Sequence, residues 1–266
     1  MQRHDGRKGE TLLINGRTDT DLEVAAGQTE RWRIVNAASA RFVRLSIGGS
    51  EFQIVGSDGG LLPAPVSATE VLLTPGERVD VAVGPFDEGD ELAIESLPYA
   101  GGMKPEAKGD AVRFGTVRVG ARKPSRARIP SKLRTIEPLV TGPVEPNRTV
   151  RLGGKTSLRR FVDWTIDDEM HHVADPVKVG ELQVWDIVNE TKMPHPFHLH
   201  GFFFQVLDEN GEKPRTLAWK DTVMVQREST VRIAWMPDDR PGRWMYHCHI
   251  LEHHAAGMMA TFEVIP

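Results

Sequence analysis

His195-Pro196-Phe197-His198-Leu199-His200-Gly201 and His247-Cys248-His249, the latter followed by His253 and Met258, bring eight nitrogen and sulfur donors into two short stretches near the C-terminus. The only cysteine of the 266-residue chain lies in the second stretch between two histidines, where a thiolate serves a metal better than it serves packing. Side chains of an extended strand alternate between two faces. His198 and His200 then share one face with His195 on the other, and His247 and His249 share a face that Cys248 opposes. One site gathers Cys248, His195 and, from the loop beyond the strand, His253 and Met258. Two imidazoles, a thiolate and a thioether are the donor set of a blue-copper electron-transfer centre, with methionine as the weak axial ligand. The opposite face gathers His198, His200, His247 and His249 into a cluster of imidazoles alone.

A lone histidine on an apolar strand is ordinarily a satisfied core or surface residue, and a lone buried cysteine behaves as a small hydrophobe. Joint spacing decides against that reading here, because six of the ten histidines fall at alternating or near positions around the sole cysteine. Zinc would favour a closed tetrahedral set richer in thiolates, or an open site with a carboxylate or third imidazole. Nothing in zinc chemistry requires ligands that bracket a cysteine on alternating faces.

Around these motifs the chain reads as strands separated by turns, with hardly any sustained helical period. Thr11-Leu12-Leu13-Ile14 runs into the turn dipeptide Asn15-Gly16, Arg31–Val35 and Arg41–Ile47 alternate, and Glu70–Leu73 and Val79–Val83 follow glycine and proline turns. Strand signals resume at Thr149–Leu152, Phe161–Ile166 and Leu182–Val188. The expectation is an all-β chain of β-sandwiches. Between about Gly120 and Asn147 the composition turns to proline, arginine, lysine and serine, centred on Lys123–Arg134, which reads as an extended, solvated linker. Residues 1–120 then form a first domain without metal ligands, 121–147 the linker, and 148–266 the metal-binding domain. The arginines and aspartates of the first domain are expected to pair within it.

Charge points to no further partner. Lysine plus arginine total 33 against 37 acidic residues, a net charge of −4, so no basic footprint argues for nucleic acid. No apolar stretch reaches the length of a membrane span and no signal peptide opens the chain. A single cysteine excludes an internal disulfide without placing the protein in a reducing compartment.

The motifs His-Pro-x-His-x-His-Gly at His195–Gly201 and His-Cys-His-x3-His-x4-Met at His247–Met258 resemble those of the last cupredoxin domain of the multicopper oxidases. Trp219-Lys220-Asp221-Thr222 and the segment Ile250–Met259 are similar to the bacterial laccase and cuprous oxidase branch. Asn15-Gly16, Val35-Asn36-Ala37, Ser57–Gly60 and Pro75–Asp80 resemble the middle domain. The resemblance implies two tandem cupredoxin-like Greek-key β-sandwich domains. It implies type 1 copper at His195, Cys248, His253 and Met258, type 2 copper at His198, and a type 3 copper pair at His200, His247 and His249. His195, at a loop edge, is expected to receive electrons from a reducing substrate, a phenol or metal ion, with O2 as acceptor reduced to water. No methionine-rich insertion marks a dedicated cuprous oxidase, since the nine methionines are mostly scattered.

In that family the oxygen-reducing cluster takes eight histidines from four His-x-His pairs, and only two pairs occur here. His4 is isolated, and His171 and His172 are adjacent, so they cannot share a strand face. The resemblance thus implies middle and C-terminal domains that need an N-terminal cupredoxin domain to complete types 2 and 3. The alternative is a copper-binding or electron-transfer fragment without oxidase activity. In similar enzymes a glutamate often follows the last type 1 histidine and delivers protons; here His254 stands there, and the expectation is that its imidazole relays protons near neutral pH. The family also implies a periplasmic or secreted location, and oligomeric state is left open.

Overall fold

Short β-rich runs bounded by glycine and proline turns assemble into four sheets in the computed structural model, which describes residues 2–100, 109–124, 128–157 and 161–266. In the first half one sheet orders its strands Thr20–Ala25, Val112–Gly120, Glu91–Leu97, Val43–Ile47, Glu70–Leu73. Its partner orders Glu30–Val35, Arg78–Val83, Phe52–Ser57, Gly60–Ala68. Inward residues of both sheets, among them Val24, Ile47, Val81 and Val117, form one buried core. In the second half one sheet orders Phe161–Ile166, Arg148–Ser157, Gln183–Asn189, Ser229–Trp235, Phe204–Glu209. The other runs His172–Val173, Met259–Ile265, Gly242–Cys248, His195–Leu199, Thr222–Val225, with Val177–Lys178 also paired to Met259–Ile265. Neighbours in each sheet are mostly not consecutive in sequence, the crossover pattern of a Greek-key sandwich, so the all-β, cupredoxin-like expectation holds.

The second core is aromatic. Trp185 meets the Trp235 ring edge-on at 5.0 Å and the Tyr246 ring at 5.3 Å, all three fully buried. Cys248 and Met258 belong to this same cluster, so the two motif-bearing segments are anchored in a buried core. Ala40 and Phe42 of the first half join it too.

Two local expectations change, and one strand appears that the sequence reading did not single out. Thr11–Ile14 forms no strand: Asn15 and Gly16, with φ of 51° and 79°, close a turn on the single bridge Ile14 to Arg17, after which the chain bends at Asp19 (φ 47°) and no ladder grows. Gly60–Ala68 pairs as a strand despite Pro63 and Pro65, because it lies at a sheet edge where missing N–H groups cost no ladder bond. The stretch 128–147 carries no helix or strand but is not solvated throughout; residues 125–127, at the centre of the basic run, lie outside the described residues. Leu133 N–H donates to Pro63 O at 2.9 Å, and the buried Gln205 amide accepts from Leu139 N–H and donates to Glu137 O.

Candidate metal centre

Antiparallel pairing sets Phe197 against Cys248 and His198 against His247, so the two motifs lie side by side with the alternation read from the sequence. His195 shares the face of Phe197 and Cys248. Just past Cys248 the chain forms the short helix Leu251–Ala255, which swings His253 back over the strand. Nδ1 of His195 and Nδ1 of His253 then lie 3.1 Å apart, with Cys248 Sγ 3.5 Å from the first and 3.6 Å from the second. All three residues are completely buried. Met258 is equally buried and is clasped to them, its N–H donating to His253 O and its carbonyl accepting from Cys248 N–H.

The far sides of both rings are held. His195 Nε2 is 2.8 Å from Thr191 Oγ1, and His253 Nε2 is 2.8 Å from the carbonyl of His4. Trp164 covers the group, its ring 4.1 Å from that of His253 and 5.2 Å, edge-on, from that of His195. Burial pulls the His195 imidazole well down and His253 down to about 3, so both rings are neutral and offer lone pairs at neutral pH. Burial pushes the Cys248 thiol up, against the Ile250 N–H that donates to its sulfur at 3.4 Å. One sulfur and two nitrogens converging in a dry pocket are the donors a soft, redox-active cation needs, and the set fits copper.

On the opposite face, ring nitrogens of His198, His200 and His247 lie within 4.8 Å of one another. His200 Nε2 and His247 Nε2 are 2.8 Å apart, and His247 Nδ1 faces the Cys248 carbonyl at 2.8 Å. His249 stands beside them, its ring 5.4 Å from that of His198, but is not in that close trio. Burial lowers His200 to about 4 and His247 to about 3. His254 stacks on His247 with ring centroids 4.3 Å apart and planes 13° from parallel.

His195 is not the surface residue expected: it is fully buried, with the Trp164 ring edge-on against it and Thr191 Oγ1 at its Nε2. The His4 ring joins neither donor group, but its backbone carbonyl meets His253 Nε2. His171 and His172 stay outside both clusters; His172 Nδ1 lies 2.9 Å from Glu169. The first half's charges only partly pair internally, as Arg44 does with Glu70. Arg78 instead forks onto Asp221 while also lying 3.7 Å from the Asp58 carboxylate, which is fully buried and meets Lys220 at 3.2 Å. Trp164, Thr191, Arg78 and Asp58 escaped sequence reasoning as site neighbours; the family-like runs Ser57–Gly60, Pro75–Asp80 and Trp219–Thr222 were the signal that could have found the charged ones.

Two family models described as multicopper oxidase match residues 146–266 and 2–94. A laccase of Bacillus subtilis is 31% identical over 281 residues, covering 96% of this chain and 54% of that protein. The cell division protein FtsP of Proteus mirabilis is 29% identical, covering 98% of this chain and 56% of that protein. The crystal structure of the McoA multicopper oxidase from Aquifex aeolicus superposes with a TM-score of 0.86 at 31% identity, over 97% of this chain and 60% of that one. The chain thus spans about half the length of the curated relatives it matches. With both family models, the paired strands and the cysteine-centred donor set in agreement, the chain belongs to the multicopper oxidase family.

Proposed function

We propose that this chain supplies the electron-accepting copper site and half of the oxygen-reducing cluster of a laccase-like oxidase. The observation that carries the reading is the convergence of Cys248 Sγ with Nδ1 of His195 and His253 in complete burial. His195, Cys248, His253 and Met258 would hold type 1 copper, His198 type 2, and His200, His247 and His249 the type 3 pair. Bound there, copper supplies one-electron redox chemistry, with a phenol or metal ion as donor and O2 as final acceptor. The protein's own residues do the rest. Thr191 and the His4 carbonyl fix the two rings, and Trp164 covers them. Cys248 joins the two sites through its own backbone, and its carbonyl bonded to His247 Nδ1 gives a route of one hydrogen bond from the sulfur's residue to the second cluster. His254, against His247, remains the proposed proton carrier on that contact alone.

Residues 1–120, 121–147 and 148–266 are proposed as domain, linker and domain, and an N-terminal cupredoxin domain as the source of the remaining ligands. A periplasmic or secreted home is proposed with them; among the described residues no helix is long and apolar enough to cross a membrane. The cell-division relatives make activity the decisive question, and the retained donor set favours copper chemistry over a purely structural role. Copper content, an optical spectrum and oxygen uptake test this together. The chain alone is expected to bind copper with a blue thiolate band and without oxygen turnover, and turnover on phenol or cuprous ion to follow once the N-terminal domain is supplied. Copper-loaded protein without the thiolate band would refute the assignment.

A further inference from the structure

The half of the chain with no expected ligands reaches the histidine cluster at two points. His198 pairs with Thr222 across neighbouring strands, which places its Nδ1 3.0 Å from the Asp221 carbonyl and 3.0 Å from Thr222 Oγ1. The Thr222 hydroxyl donates its own proton to Asp221 Oδ1 at 2.8 Å, so its oxygen faces the imidazole as an acceptor. Two acceptors at Nδ1 place the ring proton there and leave the lone pair on Nε2. Asp221 is held in turn by Arg78, whose Nη1 and Nη2 each donate to one carboxylate oxygen at 2.6 Å. Arg78 is pinned at its base: its Nη2 donates to Asp58 O at 3.2 Å and its backbone N–H to Asp58 Oδ1 at 2.8 Å. The second point is Gly76, at φ 89°, where a Cβ would lie 2.5 Å from Cδ2 and 2.7 Å from Nε2 of His249.

We propose that Arg78 is a positioning residue for the histidine cluster. Arg78, through its fork onto Asp221, keeps the Thr222 hydroxyl turned away from His198 and so fixes the proton on His198 Nδ1 and the lone pair on Nε2. A planar guanidinium is required because only a fork engages both carboxylate oxygens at once. Without it the Asp221 carboxylate is free to turn, the Thr222 hydroxyl can donate to His198 Nδ1, and the other tautomer, with its lone pair aimed away from the cluster, becomes accessible. The role in metal binding rests on the function proposed above; the tautomer control does not.

Nitrogen-15 histidine spectra of the metal-free protein test it. In the unaltered chain His198 is expected to show one tautomer with a slowly exchanging Nδ1 proton. Arg78→Ala is expected to give mixed tautomers and at least about tenfold faster exchange, and copper(II) affinity at the histidine cluster to weaken about 10–100-fold, the usual effect of losing a residue that orients a ligand. Arg78→Lys, charged but unforked, is expected to fall on the side of Arg78→Ala. Arg31→Ala, which removes an exposed pair with Asp80 in the same half, is the control and should change neither. An unchanged His198 signal in folded Arg78→Ala, or an equal change in Arg31→Ala, overturns the proposal. If Arg78→Ala does not fold, Asp221→Asn carries the same test, since a carboxamide cannot accept the fork at both atoms. Tautomer control without copper binding at the cluster would refute the copper assignment and leave the positioning role standing.

Discussion

Cys248 and the histidines around it show how much a single residue's chemistry depends on its enclosure. His247 and His253 are both drawn down to about 3 by burial, so the unfolded chain takes up protons before the folded one as acid is added. Their full contribution to the stability of the metal-free protein is therefore present above the ordinary histidine value, about 6.5, and is lost progressively as pH falls toward about 3. Urea midpoints of the metal-free chain are expected to drop between pH 7 and pH 4; a flat profile would contradict this. The two close donor groups, His195 with Cys248 and His253 and His198 with His200 and His247, were legible in the sequence largely because alternation is a property of the strand alone. That His195 is sealed while His253 leans on a carbonyl far away in sequence was not, because Trp164, Thr191 and His4 come from separate segments.

At the scale of elements, the short helix Leu251–Ala255 and the glycine that follows it convert a strand motif into a three-dimensional donor set. Gly257 sits at φ 118°, and a Cβ there would lie 2.6 Å from Met170 Cβ and 2.8 Å from the Trp164 carbonyl. Gly257→Ala must shift the chain between His253 and Met258, two residues of the buried site, or strain it. A loss of about 1–3 kcal/mol in unfolding free energy is expected, together with weaker copper binding at the cysteine site. Unchanged denaturation and copper titration curves would show that the turn has slack. The edge strand Gly60–Ala68 was hidden from sequence reading for a related reason: its prolines oppose a strand in general but not at an edge, and edge position is decided by the other strands.

For the whole molecule, the two halves are joined by charge as well as by apolar contact. Lys220 reaches Glu77 at 2.9 Å and Asp58 at 3.2 Å. Burial pulls its ammonium down, but the charges of Glu77 and Asp58 outweigh this and hold it above the usual lysine range. Burial raises the Asp58 carboxyl, and Lys220 opposes that rise. Removing Lys220 leaves the buried Asp58 carboxylate to Arg78 alone among cations, so Lys220→Ala is expected to cost up to about 3–5 kcal/mol by chemical denaturation. Lys220→Ala combined with Asp58→Asn should cost less than Lys220→Ala alone. A double variant less stable than the single one would mean that Asp58 serves something other than Lys220.

By itself the sequence determined the family-like donor set, the all-β character and the division of the strand-borne histidines and Cys248 between two faces, because each follows from residue type and a period of two along an extended chain. Only the tertiary structure decided that the half without expected ligands approaches His249 at Gly76 and reaches Asp221 beside His198 through Arg78, that His195 is buried and that the basic stretch is tied down at its neighbours. Those outcomes depend on which segments, distant in sequence, come to lie within hydrogen-bond reach, and no local pattern in either segment records the meeting.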